Sequence, residues 1–112
     1  MYDERITLCG ASSYTKKFYL NEDFEGLPEG VRDELKIMCV LYTEDVGGTL
    51  RLVFDGEGNL EFCTEAEEGD LLYDEIGSVL KIKQLRNTKR ELLEALELYF
   101  RVFFLGEDME EV

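Results

Sequence analysis

Apolar residues recur at every second position in four stretches of this chain and at every third or fourth position in three others, and the two spacings divide it into elements. Residues 5–9, RITLC, alternate, with Ile6 and Leu8 on one face. Residues 10–13 are small and read as a turn. Residues 16–20, KKFYL, return as the second strand of a hairpin, with Phe18 and Leu20 sharing a face. Tyr14 and Phe18 are also one helical turn apart, so a short helix over 14–20 stays open beside the strand. After a loop at 21–27, Pro28 suits the first position of a helix, where a missing N–H costs nothing. Val31, Leu35, Met38 and Tyr42 follow at helical spacing, and Ile37 and Leu41 widen the stripe. Arg32, Asp33 and Lys36 occupy the other face, and Gly47 and Gly48 supply a left-handed stop. A buried strand over IMCVLY (37–42) is the rival reading of the same run.

The next hairpin has the sharper register. TLRLVFD (49–55) and NLEFCTE (59–65) flank Gly56, Glu57 and Gly58. A three-residue loop pairs Phe54 with Leu60 and Leu52 with Phe62, and puts Gly58 at the left-handed position of a bulged turn. A slip of one residue would set the two apolar faces on opposite sides of the sheet. Asp70 is then expected to cap a helix over 71–85, with Leu72, Ile76, Val79 and Leu80 turned inward. Gly77 should weaken the middle of that helix by about 1 kcal/mol relative to alanine. Thr88 and Glu91 have the spacing of a capping box for a last helix, which Gly106 stops. Glu91, Glu94, Glu97 and Arg101 mark its solvent face. The summed order, β-β-α-β-β-α-α, predicts an α+β fold: an antiparallel sheet with helices packed mainly on one face. One domain is expected over residues 1–106, with a disordered acidic tail at 107–112.

Charge narrows the partners. The 112 residues include 26 acidic and 12 basic side chains, no histidine, and a net charge of −14. Such a chain repels nucleic acid, whose binding draws on lysine and arginine, and it repels anionic membranes. Lys81, Lys83, Arg86, Lys89 and Arg90 cluster, but in this acidic setting they read as a helix junction with a mixed-charge face. No apolar run approaches the ~20 residues of a membrane span. Residues 2–5 are polar, unlike a signal peptide, so a cytoplasmic location is expected.

Candidate chemistry is sparse. Cys9, Cys39 and Cys63 are odd in number, widely spaced and without a histidine to make thiolate, so they read as small apolar filler in a reducing compartment. Glu65, Glu67, Glu68, Asp70, Asp74 and Glu75 lack the spacing of a calcium loop, and in residues 55–59 the glycine falls at the wrong position for one. Neither a phosphate-binding loop nor a dinucleotide fingerprint is present. No catalytic residue, cofactor or metal is therefore expected. What remains is surface. The last helix is apolar nearly all round toward its end, LYFRVFFL. It is either a central helix packed on two sides or a partner or dimer face built from Tyr99, Phe100, Arg101, Phe103 and Phe104.

Three segments, LCGASSYTKKFYLNEDFEGLP, ELKIMCVLYTEDVGGTLRLVFD and LLYDEIGSVLKIKQL with the following ELLEALELYF, resemble a small family of uncharacterised proteins, a domain of unknown function from clostridia-like Gram-positive bacteria. The resemblance spans roughly residues 5–105. It implies a bacterial cytoplasmic setting and a single domain, and it brings no activity, cofactor or site residue. The function expected is a small acidic protein-interaction module, self-associating or bound to a protein partner. A regulator binding a small molecule or divalent cation through residues 65–75 and a pocket between sheet and helices is the alternative. A carboxylate-based hydrolase comes third.

Overall fold

The computed structural model describes residues 5–107. The elements are β1 (Ile6–Ser12), β2 (Lys17–Leu20), a 3-10 turn at Glu22–Phe24, α1 (Glu29–Val46), β3 (Thr49–Phe54), β4 (Leu60–Glu65), α2 (Glu75–Thr88) and α3 (Arg90–Phe103). This is the expected α+β order. The tail expected at 107–112 lies, except for Glu107, outside the described residues. Glu107 itself donates its N–H to the Arg101 carbonyl at 2.9 Å, closing the helix end past Gly106.

The four strands form one antiparallel sheet in the order β2-β1-β3-β4. Two hairpins are joined through α1, and β1 and β3 pair at the centre. The period of two gives each face its own row. Leu20, Cys9, Leu52 and Phe62 align across the core face, and Tyr19, Gly10, Arg51 and Cys63 align across the other. A bulge between Thr7 and Cys9 re-phases β1, so that Leu8 and Cys9, neighbours in sequence, are both fully buried.

Residues 14–20 resolve as turn and strand, not helix, but the turn comes later than the small residues suggest. Gly10, Ala11 and Ser12 continue β1, and the chain reverses through residues 13–16 with Lys16 at φ 58°. The Ser12 hydroxyl accepts the N–H groups of Tyr14 and Thr15 at 3.1 and 3.2 Å. Gly10 is small because the Tyr19 ring lies across it: a Cβ there would sit 2.6 Å from a ring carbon. The β3–β4 register matches the sequence expectation, with Phe54 opposite Leu60, Leu52 opposite Phe62 and Gly58 at φ 88°. In the loop, the Asp55 carboxylate accepts the N–H groups of Glu57 and Asn59, both at 2.9 Å. Those bonds, the one to Asn59 foremost, hold its pKa below the usual carboxylate range.

Helix α1 excludes the rival strand at 37–42. Pro28 sits one residue before its first helical residue, and Gly47 and Gly48, both at positive φ, end it. Leu35, Met38, Cys39, Tyr42, Thr43 and Val46 face the sheet. Val31 packs at the margin of the core, whereas Ile37 and Leu41 are more than half exposed, so the buried stripe is narrower than expected. At the far end of the sheet, Phe24, Phe54, Phe100 and Phe104 stack, with Phe54 and Phe100 ring centroids 4.2 Å apart and Phe24 and Phe104 4.7 Å apart. They tie the 3-10 turn, β3 and α3 into one core.

The outer edge of β4 is occupied where it meets the helices. The Leu60 N–H donates to Glu97 Oε2 at 2.8 Å, and its carbonyl accepts from Arg86 at 3.3 Å. The expected capping box at Thr88 does not form. The Lys89 N–H bonds the Leu85 carbonyl at 2.8 Å, so α2 runs through Thr88. The break falls at Lys89 (φ −109°, ψ 24°), whose ammonium reaches Glu34 at 3.0 Å.

Candidate interaction face

Helix α2 lies antiparallel along the flank of α1. Its entry is fixed by the Asp74 N–H on the Val46 carbonyl (3.0 Å), its exit by Lys89 on Glu34, and Lys81 meets Asp45 at 3.0 Å between them. Asp74, not the expected Asp70, caps it: its carboxylate accepts the Gly77 N–H at 2.8 Å. Gly77 is thus in the first turn rather than the middle. A Cβ on it would lie 2.2 Å from an Asp74 carboxylate oxygen, so the cap itself requires glycine.

The inward positions of α2 are Ser78, Ile82 and Leu85, one helical stripe. Ser78 is buried because its hydroxyl meets the Tyr42 phenol of α1, which is fully buried; burial above all raises the pKa of that phenol. Helix α2 is therefore seated by a polar contact and two apolar side chains. The residues expected to turn inward do the opposite. Leu72 before the helix, and Ile76, Val79 and Leu80 on it, are 61 to 91% exposed, and Leu71 beside them is exposed too. Leu71 and Ile76 line one depression, and Leu80 lines another with Asp45. Glu34, Ile37, Leu41 and Asp45 share one side of α1, so Ile37 and Leu41 stand between the two lysine bridges to α2. Each such side chain would gain roughly 1.5–3 kcal/mol on full burial.

The face expected on α3 is divided. Phe100 is 2% exposed and stacked in the aromatic core, so it is no surface anchor. Phe104 and Tyr99 are half-buried beside it. Arg101 is spent on the β3–β4 turn, donating to the Glu57 carbonyl at 3.2 Å and to Asn59 Oδ1 at 3.0 Å. Phe103, 70% exposed against Tyr99, alone keeps the position expected of it.

Two carboxylates of the acidic run 65–75, Asp70 and Asp74, serve the fold. The Tyr14 phenol accepts the Glu67 N–H at 2.8 Å and donates to Asp70 at 2.5 Å. That donation, with the Leu72 N–H at 2.9 Å, holds the Asp70 carboxyl below its usual range. Among the described residues, no three thiols or carboxylates converge as a metal ion needs. Cys9 and Cys39 are fully buried with sulfurs 3.9 Å apart, and this contact, then burial, pushes the Cys9 thiol far up. Cys63 is half-buried. No helix among the described residues is long and apolar enough to cross a membrane.

The sequence model described as "Family of unknown function (DUF6145)" matches residues 5–108. The chain belongs to that family. Neither the curated proteins nor the solved structures yield a match. Because the DUF6145 match runs from β1 through α3, the exposed stripe of α2 lies within the family's domain and is no appendage to it.

The apolar stripe on α2 is visible in the sequence, but it faces solvent and not the core. A helix stripe is normally read as buried, and Ser78, the residue that fixes the rotation, looks unremarkable until Tyr42 is placed beside it.

Proposed function

We propose that this DUF6145 chain is a non-enzymatic protein-interaction module whose contact surface is the outer face of α2. One observation carries this: a helix anchored on the core through Ser78, Ile82 and Leu85 turns Ile76, Val79 and Leu80 to solvent. Monomers seldom expose contiguous apolar patches of this kind, and larger ones mark interaction sites. The resemblance to clostridia-like proteins and the unbridged thiols agree with a bacterial cytoplasmic setting. A photo-crosslinking amino acid placed at Val79 in the source cell should capture a protein, and the same probe at exposed Glu22 should not. Capture from neither position, or equally from both, would refute a contact surface on α2.

A second reading has its own support. A depression of about 540 Å³ lies between the β1–β2 turn and the end of α1, lined by Ser12, Lys16, Lys17, Thr43, Asp70 and Leu72 among others. Its polar rim suits a small metabolite. Thermal-shift screening with and without Lys17→Ala tests it: absence of any stabilising ligand, or stabilisation unaffected by the substitution, would refute this reading.

A further inference from the structure

We propose that the occupant of the α2 face is a second copy of this chain, docked about a two-fold axis that crosses α2 at Val79. This rests on α2 being a contact surface, and it goes further by naming what covers it.

Charges of opposite sign are segregated along this part of the chain. Residues 65–75, leading into α2, carry six acidic side chains and no basic one; residues 81–90 carry five basic side chains and no acidic one. The exposed apolar residues Ile76, Val79 and Leu80 lie between. The chain thus runs acidic, apolar, basic, and the exposed residues Glu75, Val79 and Lys83 repeat that order along α2. A two-fold axis perpendicular to the helix reverses that order in the partner, so acidic meets basic at both ends and apolar meets apolar in the middle. An isologous contact requires this self-complementarity.

Several of these charges already serve the fold. Asp70 and Asp74 hold backbone N–H groups, Lys81 and Lys89 bridge to α1, and Arg86 lies over the Phe62 ring at 4.9 Å. On α2 itself, Glu75 and Lys83 are the two charges that do not: neither has an ion-pair partner among the described residues. They stand four residues to either side of Val79, each about 6 Å from it along the helix axis. The axis therefore sets Glu75 opposite the partner's Lys83, and Lys83 opposite the partner's Glu75. A uniformly basic partner, the obvious match for a chain of net charge −14, would meet the basic half of α2 with like charge. A partner with both poles in the same order fits, and the chain itself is one.

Multi-angle light scattering on the purified full chain, over about 1 to 100 μM at about 0.15 M salt, should give twice the 13.0 kDa chain mass. Glu75→Lys and Lys83→Glu should each weaken the dimer at least about tenfold, since one substitution places like charges at both symmetric contacts. The double variant should restore affinity to within about threefold of the parent. Both residues are exposed, and unchanged circular dichroism would separate loss of pairing from loss of fold. A dimer indifferent to the single reversals, or a double variant as weak as the singles, overturns the two-fold register. A strict monomer overturns the second copy as occupant. If the Val79 probe then captures a different protein, the interaction module stands without self-association; if it captures nothing, both fall.

Discussion

The contact between Tyr42 and Ser78 decides which face of α2 points outward, and a double-mutant cycle measures it. The phenol is fully buried, the serine is buried, and each hydroxyl has the other as its partner. Tyr42→Phe removes a bond worth about 0.5–1.5 kcal/mol net and leaves the serine hydroxyl buried without it, so the loss should be about 1–3 kcal/mol. Ser78→Ala strands the phenol instead. Its cost should be at the lower end, because the Tyr73 hydroxyl lies near enough to Tyr42 to interact with it. The double variant removes both hydroxyls, leaves no stranded group, and should lose less than the sum of the singles by about 1–2 kcal/mol. Urea denaturation followed by circular dichroism supplies the four free energies, with equal m-values as the check that the unfolding reaction is unchanged. Strict additivity would refute the pairing. With it would go the rotation that places Ile76, Val79 and Leu80 in solvent.

Four further outcomes are expected. Gly77→Ala should fail to deliver the ~1 kcal/mol that helix propensity promises, because the new methyl displaces the Asp74 cap, itself worth about 0.5–2 kcal/mol; a clear gain in urea would contradict the cap. Phe100→Ala should cost about 3–5 kcal/mol and Phe103→Ser less than about 1 kcal/mol, and similar losses in chemical denaturation would mean the two rings are placed alike. A thiol reagent on the folded chain should modify Cys63 first, with Cys9 and Cys39 reacting only on unfolding; three equal rates would count against the buried thiol pair. Tyr14→Phe should raise the Asp70 pKa toward the ordinary carboxylate range, followed by carboxyl NMR. The sign follows from linkage: a depressed folded-state pKa contributes stability present above the unfolded value and lost as pH falls through the folded one, so Tyr14→Phe should remove an acid-sensitive contribution. No change in the Asp70 titration would argue against the Tyr14 bond.

Period-two patterning and a single left-handed glycine were enough to place β3 and β4 in register to the residue, because only one loop length keeps both apolar faces together. Helix α1 was legible for a similar reason: its stripe is long and punctuated at both ends. The β1 turn was displaced because Gly10 is small to admit the cross-strand Tyr19 ring, information that lies on another strand. Thr88 had capping-box spacing, but the backbone continued its helix through that residue and broke at Lys89. Long-range packing also hid the site. Phe100 is taken into the core by Phe24, which a distant 3-10 turn contributes to its cluster. The stripe on α2 is turned outward by the contact of Tyr42 with Ser78. Periodicity identifies a face, while its sense, inward or outward, is fixed by contacts distant in sequence.

The two side chains on Leu60 bear on how the molecule avoids polymerising. An unpaired strand edge is a template for another strand, and natural sheets block it with charge. Here Glu97 occupies the Leu60 amide and Arg86 its carbonyl, so an incoming strand would have to displace two charged groups before its first ladder bond at that end of β4. At the opposite margin β2 has only four residues and begins beside two lysines. Growth by strand addition is thus obstructed at one end of β4 and where β2 begins. A chain that exposes so much apolar surface on a helix while guarding its sheet edges can recruit a neighbour through side-chain packing and still avoid seeding a fibre.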